Sequence, residues 1–490
     1  MQTMDKPLSG IQPTNLDTLD ELLGGGIPFG SLVLTAGPPG SGKTILAQQW
    51  LFEGARQADE VGIYISFTED IEKLNRNVKQ FEFYDKSIVD SGRVRFVDGQ
   101  VLLKGIHLEQ KPSLTHIEMD QLLTIMMNLV DQTQAKRVAI DSVTALIYKL
   151  NGVDTVRNFI FRLGYLLSRP GATIMLVSES SRNMSTQIPV EEYISDGIIF
   201  LDTKPGANQQ MRRLEVKKMR GTDYRSGPAY FEITAEGLTI YPKIPTYDVT
   251  ALTDFKVRRK IGIPKLDEIM GGGIPQGHIL LVGGNTGSGK TTFSMQFLEE
   301  GIKRGEAGLF VSLEESMTQI IKTAKEHDWM FDQHLKDQTL SSVSSDLIDV
   351  YPDRLLYNIV RVVEKHNIKR VVIDSISSME LSSFAKEYVR EFLLQLVSFL
   401  KSRGINGLLT YLTSDMFGAY QNQLLGGTEQ SELRLSSIVD GMILLRYVER
   451  DQEVHKLLNV LKMRGSDHER GIYEFQVAKA GIIMGDKFKA

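Results

Sequence analysis

Two stretches of the chain carry glycine, lysine and hydroxyl residues at the spacing that holds a chain of phosphates. They are Gly37, Pro38, Pro39, Gly40, Ser41, Gly42, Lys43 and Thr44, and Gly284, Asn285, Thr286, Gly287, Ser288, Gly289, Lys290 and Thr291. Glycines let backbone N–H groups converge on phosphate oxygens, and the helix that follows adds positive potential at its N-terminus. Lys43 and Lys290 can then reach the β- and γ-phosphates, while Thr44 and Thr291 offer hydroxyls to magnesium. The ligand implied is ATP with Mg2+ at each stretch.

Magnesium chemistry also needs a carboxylate at the C-terminal edge of a buried strand. Arg137-Val-Ala-Ile-Asp141 and Arg370-Val-Val-Ile-Asp374 have that form, which makes Asp141 and Asp374 the candidate metal acids. An attacking water or hydroxyl needs a further carboxylate to polarise it. Ile63-Tyr-Ile-Ser-Phe67 runs into Thr68-Glu69, whereas Leu309-Phe-Val-Ser-Leu313 runs into Glu314-Glu315, so one of two acids is missing from the first pair. We expect unequal activity. Lys218-Met-Arg220-Gly221 and Lys462-Met-Arg464-Gly465 bring paired cations, which could stabilise a transferring phosphoryl group from a neighbouring subunit.

The elements that must position these residues repeat. Leu19-Asp-Glu-Leu-Leu-Gly-Gly-Gly-Ile-Pro28 recurs as Leu266-Asp-Glu-Ile-Met-Gly-Gly-Gly-Ile-Pro275, an offset of 266 − 19 = 247. Each copy continues through an apolar strand, the glycine-rich loop, a helical pattern, the strand ending in Asp and the Lys-Met-Arg-Gly tetrapeptide. Alternating strands and helices predict an α/β fold of two tandem P-loop domains, each a mostly parallel twisted sheet flanked by helices. We expect residues 1–247 to form the first and 248–490 the second.

The 42% of hydrophobic residues is enough for sizeable cores, which argues against bulk disorder. With 56 Lys plus Arg against 61 Asp plus Glu, the net charge of −5 gives no global pull toward nucleic acid or an anionic membrane. The chain has no cysteine and eight scattered histidines, so no structural zinc is expected. No targeting segment or membrane-length apolar run is evident, and a cytoplasmic protein is expected.

These motifs resemble the KaiC family, the hexameric ATPases of the cyanobacterial clock, from about Pro7 almost to the end. The resemblance is carried by the Gly-Gly-Gly-Ile-Pro lead, both P-loops, Glu314-Glu315, the Ile-Asp-Ser strands, Val190 to Asp196 and the Lys-Met-Arg-Gly hairpins. It implies a RecA-like fold for both domains and a homohexamer of two rings with ATP between subunits. It also implies slow hydrolysis in the first ring, with autokinase and autophosphatase chemistry in the second. The family's phospho-acceptors fall on Ser436 and Ser437, within Arg434 to Asp440; Asp440 matches Asp196, so the first half has Glu192 and Tyr193 there. Glu314 or Glu315 would be the base, with Lys462 and Arg464 neutralising phosphate from the next subunit.

Thr68 departs from the family pattern and puts ordinary first-half hydrolysis in question. The chain stops soon after Met484-Gly-Asp486, near where clock relatives begin a tail that receives the activator KaiA, so KaiA control is not expected. A KaiB-like partner on the first ring stays open. Rival readings are a nucleic-acid-dependent RecA- or DnaB-like motor, disfavoured by the acidic balance, and a nucleotide-gated platform with little turnover.

Overall fold

The computed structural model describes residues 10–105, 113–168, 171–179, 190–205, 210–244, 256–344, 351–380, 386–413, 435–450 and 452–488. The chain divides into two compact units, Met1–Lys243 and Ile244–Ala490. The boundary expected near residue 248 lies outside the described residues.

Among the described residues the first unit is built on one sheet of nine strands. In chain order these are β1 (Leu32–Gly37), β2 (Gly62–Ser66), β3 (Val94–Asp98), β4 (Arg137–Asp141), β5 (Thr173–Glu179), β6 (Gly197–Pro205), β7 (Gln210–Met219), β8 (Pro228–Thr234) and β9 (Gly237–Tyr241). Across the sheet the order is β9-β8-β7-β6-β1-β5-β4-β2-β3. The run from β6 to β3 is parallel, and β7 to β9 add an antiparallel edge. The second unit has β10 (Ile279–Gly284), β11 (Gly308–Ser312), β12 (Leu340–Ser344), β13 (Arg370–Asp374), β14 (Asn406–Leu412), β15 (Gly441–Arg450), β16 (Glu453–Met463), β17 (Ile472–Ala478) and β18 (Gly481–Lys487). Their order is β18-β17-β16-β15-β10-β14-β13-β11-β12, the first sheet again with every number raised by nine. The expected pair of mostly parallel sheets flanked by helices is what the chain forms.

The near-continuous apolar strands follow from this layering, since a parallel sheet is covered on both faces. Every residue of β1, β4, β10 and β13 is buried. The helix Lys43–Gln57 after the first P-loop packs on this layer with Trp50, Leu51 and Phe52 fully buried. Arg137 opens β4 and is itself fully buried. Its guanidinium bonds Glu60 and the Trp50 and Thr14 carbonyls, pinning the helix and the lead segment to the sheet. A Cβ at Gly54 would come within 2.3 Å of its Nε, so that helix position needs glycine. Arg370 repeats the pin with Glu306 and the Phe297 and Lys260 carbonyls.

Candidate functional site

The P-loops leave the C-terminal ends of β1 and β10 and turn directly into helices that begin at Lys43 and Lys290. Gly42 and Gly289 precede those helices at φ 100° and 105°, a left-handed backbone that an L side chain would strain. Lys43 Nζ donates to the carbonyls of Gly37 and Pro38 at 2.9 and 2.8 Å; Lys290 Nζ does the same to Gly284 and Asn285 at 2.9 and 3.0 Å. Burial lowers the pKa of both lysines, opposed by nearby acids. Under the loops Ser41 Oγ and Ser288 Oγ are buried without a partner among the described residues. In the second unit Tyr447 OH and Lys456 Nζ also brace the loop, donating to the Gly287 carbonyl at 2.5 and 3.3 Å. Their strands are distant in sequence, and neither was singled out from it.

Asp141 and Asp374 end β4 and β13 beside these loops. Thr44 Oγ1 donates to Asp141 Oδ2 at 2.6 Å, and Thr291 Oγ1 to Asp374 Oδ2 at 2.7 Å. Hydroxyl and carboxylate are hard oxygen donors next to the P-loop lysine, a set suited to magnesium shared with phosphate oxygens. Among the described residues no cluster of three or more His, Asp or Glu side chains could hold a metal without such help. Burial raises the pKa of both acids, and the hydroxyl bonds counter it. A further hydroxyl reaches each acid: Tyr64 OH donates to Asp141 Oδ2 at 2.5 Å, and Thr410 Oγ1 donates to Asp374 Oδ1.

The attacking side differs between units. Glu69 follows β2, where Ser66 Oγ donates to its carbonyl at 2.6 Å and Lys73 Nζ pairs with its carboxylate at 3.1 Å. Glu315 occupies the matching place after β11, its carbonyl accepting from Ser312 Oγ at 2.5 Å. Burial, then Asp374 and Glu314, push the Glu315 carboxyl above its ordinary pKa. Glu314 Oε1 accepts from Ser375 Oγ and, at 2.8 Å, from Ser378 Oγ. The first unit has Thr68, Ser142 and Ala145 at these places, so it lacks the acid and one of its two anchors. A carboxylate beside Lys43 comes instead from Glu179 at the end of β5, where the second unit has Leu412.

The cation pairs and candidate acceptors lie at the other edge. Met219 pairs with Gly197, which is abreast of Val33, so Lys218 and Arg220 flank the start of β1 while the P-loop leaves its end. Four residues, about 13 Å of strand, separate Val33 from Gly37. Lys218 Nζ donates to the Ser195 carbonyl at 2.5 Å, and Arg220 pairs with Asp196 at 3.2 Å. In the second unit Met463 pairs with Gly441, abreast of Leu280. Lys462 Nζ donates to the Ser436 and Val439 carbonyls at 2.6 and 2.9 Å, and Arg464 Nη2 to the Ser437 carbonyl at 3.2 Å. Ser436 and Ser437 are exposed in the short helix Leu435–Ile438, where the first unit has Glu192 and Tyr193. Arg434 and the side chains of Val190 and Glu191 lie outside the described residues. Each unit thus gathers its P-loop, its candidate magnesium acid and Glu69 or Glu314-Glu315 at one edge, and keeps its Lys-Met-Arg-Gly cations apart from them.

A family model described as "ATPase: KaiC" matches residues 12–244 and 259–488. The circadian clock oscillator protein KaiC of Parathermosynechococcus lividus is 30% identical over 484 residues, covering 97% of this chain and 85% of its own length. The circadian clock protein KaiC3 of Synechocystis sp. strain PCC 6803 is 31% identical over 492 residues, 99% of this chain and 94% of its own. KaiC of Synechococcus elongatus is 29% identical over 484 residues, 97% and 89% of the two chains.

Proposed function

The chain belongs to the KaiC family of P-loop ATPases, and from that premise we propose that both units bind ATP with magnesium between subunits of a homohexamer. The first hydrolyses ATP slowly; the second transfers the γ-phosphoryl group to Ser436 or Ser437 of a neighbouring copy. The observation that carries this reading is the separation of edges. The exposed serines and their Lys462-Arg464 cations flank the start of β10, whereas the P-loop leaves its end. That separation of the serines from the P-loop of their own chain supports transfer between chains.

Thr44 with Asp141, and Thr291 with Asp374, are the residues that would hold the metal. Bound magnesium would neutralise charge on the β- and γ-phosphate oxygens as the leaving group departs. Lys43 and Lys290 bind the same phosphates, and the P-loop N–H groups orient them. In the second unit Glu315 takes the proton from the incoming serine hydroxyl. The Oγ–Pγ bond forms as the bond from Pγ to the bridging oxygen breaks, and ADP leaves with that oxygen. Burial beside two other acids makes Glu315 a stronger base than an ordinary carboxylate. Glu314, held by Ser375 and Ser378, stays oriented beside Lys290. Lys462 and Arg464 of the accepting chain neutralise the charge brought to its serine.

In the first unit Glu69 orients water in the place of the serine. The loss of an acid at Thr68 and of a serine anchor at Ala145 supports slower turnover there. The state of the second ring would then be read by protein partners, a KaiB-like protein on the first ring among them.

Mixing two inactive chains tests the reading. Lys290→Ala cannot donate, and Ser436→Ala/Ser437→Ala cannot accept; with Mg·ATP, phosphate is expected on the serines of the Lys290→Ala chain. Mass spectrometry finding no phosphopeptide in wild-type protein or in the mixture would sink the kinase assignment.

A further inference from the structure

Each of the two acids takes two hydroxyls, and the second comes from opposite sides: on Asp141 it shares Oδ2 with Thr44, whereas on Asp374 it takes Oδ1 and leaves Oδ2 to Thr291. β4 lies between β2 and β5, and β13 lies between β11 and β14. In the first unit the additional hydroxyl comes from Tyr64 on β2, while β5 presents Val177 directly abreast of Asp141. In the second unit it comes from Thr410 on β14, one residue past the Ile373–Leu409 pair and so abreast of Asp374. There β11 presents Phe310 where β2 has Tyr64. All four side chains are buried.

Length explains which residue sits where. Tyr64 pairs with Ala139, two residues before Asp141, so its hydroxyl must travel about 6.6 Å along the strand direction. A tyrosine ring spans that gap. A threonine hydroxyl stands one bond from Cβ and reaches the carboxylate only from the abreast position, which is where Thr410 lies. The opposing position is closed in each case by an apolar residue of matching shape, Val for Thr and Phe for Tyr. A buried carboxylate that must present one face to a metal needs its orientation fixed by donors, here Tyr64 or Thr410 together with Thr44 or Thr291.

We propose that Tyr64 and Thr410 are the positioning residues of the two magnesium carboxylates, one hydroxyl per site delivered from opposite neighbouring strands, and that the two solutions are interchangeable. The inference rests on the magnesium role given above to Asp141 and Asp374. It assigns to Tyr64 a function that its strand position alone would read as core packing.

The test uses the full chain with Lys290→Ala, so that nucleotide binding reports the first unit. A fluorescent non-hydrolysable ATP analogue is titrated with MgCl2. Tyr64→Phe is expected to raise the half-saturating magnesium concentration about tenfold while leaving magnesium-free nucleotide affinity unchanged. Adding Val177→Thr is expected to bring it back to within about twofold of the Tyr64 protein. In the second unit, with Lys43→Ala, Thr410→Val is expected to weaken magnesium response and Phe310→Tyr to restore it. A purely structural role would lower binding with and without magnesium alike, and thermal melting of the nucleotide-free variants separates poor folding from poor positioning.

Double variants as weak as Tyr64→Phe and Thr410→Val alone would overturn the inference. If Asp141→Asn abolishes magnesium dependence but Tyr64→Phe leaves it intact, this inference fails and the magnesium assignment stands. If Asp141→Asn itself changes nothing, both fall.

Discussion

The strand that ends in Asp141 or Asp374 reads almost identically in the two halves, yet its surroundings are exchanged across it. In the first half the supporting hydroxyl arrives from β2 and the acid beside the P-loop lysine from β5, as Tyr64 and Glu179. In the second the hydroxyl arrives from β14 and the acid from the end of β11, as Thr410 and Glu314. Each half keeps one additional hydroxyl on its aspartate and one additional carboxylate near its lysine. What the duplicated halves share is thus a set of charges and donors around a rigid strand, and the strand that supplies each is free to change. The exchange is not neutral for chemistry, because Glu314 stands next to Glu315 and Glu179 does not stand next to Glu69.

The sharpest break in the comparison should come at the bases. Glu315→Gln is expected to lower phosphorylation of Ser436 and Ser437 by about a hundredfold or more, and Glu69→Gln to lower first-half hydrolysis by a similar factor. Phosphopeptide quantification and steady-state ATPase assays in Lys43→Ala and Lys290→Ala backgrounds assign each loss to its half. Acidity should separate them further. Glu315 must be ionised to accept a proton, and its pKa is raised by burial and by the neighbouring acids Asp374 and Glu314. Second-half activity is therefore expected to fade on acidification at a higher pH than an unperturbed glutamate would give, and to return as pH rises. Removing one of those charges with Glu314→Gln should move that limb to lower pH. A limb that stays in place would mean Glu315 is not the titrating base.

A smaller effect is expected from moving the second acid. Thr68→Glu together with Ala145→Ser rebuilds in the first half the carboxylate and serine anchor of Glu314 and Ser378. First-half turnover should rise about tenfold, and Thr68→Glu alone should give less because the new carboxylate lacks one of its holds. If the double variant turns over no faster, the slowness of the first half has another source.

Much of this was legible before the fold was known, for reasons that differ by residue. The P-loops and the strands ending in Asp141 and Asp374 are local motifs whose spacing carries their chemistry, and the repeat makes each a check on the other. The α/β order follows from buried apolar runs alternating with helical periodicity. Tyr64 and Thr410 were not legible, because their role depends on which strands lie side by side, and β4 is separated from β2 and β5 by long crossovers. Arg137 and Arg370 open the two Asp-ending strands, and their role as buried pins is invisible in sequence because their partners lie in distant segments. The serine pair was visible as a difference between halves. That it lies at the far edge from the P-loop of its own chain is a matter of register, which no short motif encodes.

Glu179 offers the finest test of the exchange. It is exposed at the end of β5, and two opposing effects meet there. Its charge supports the protonated form of Lys43, which burial works against. It also repels the phosphates that Lys43 attracts. Once ATP is bound, the phosphates themselves keep Lys43 charged, so the repulsion should win. Solvent screening at an exposed carboxylate keeps the effect small. Glu179→Gln is therefore expected to tighten ATP binding in the first half about threefold, measured by calorimetry in the Lys290→Ala background, with the difference shrinking at high salt. Leu412→Glu should do the reverse in the second half, weakening binding about threefold. Weaker binding in Glu179→Gln would mean that its main effect runs through the charge of Lys43. Glu179 would then match Glu314 in role, although it comes from the opposite neighbouring strand.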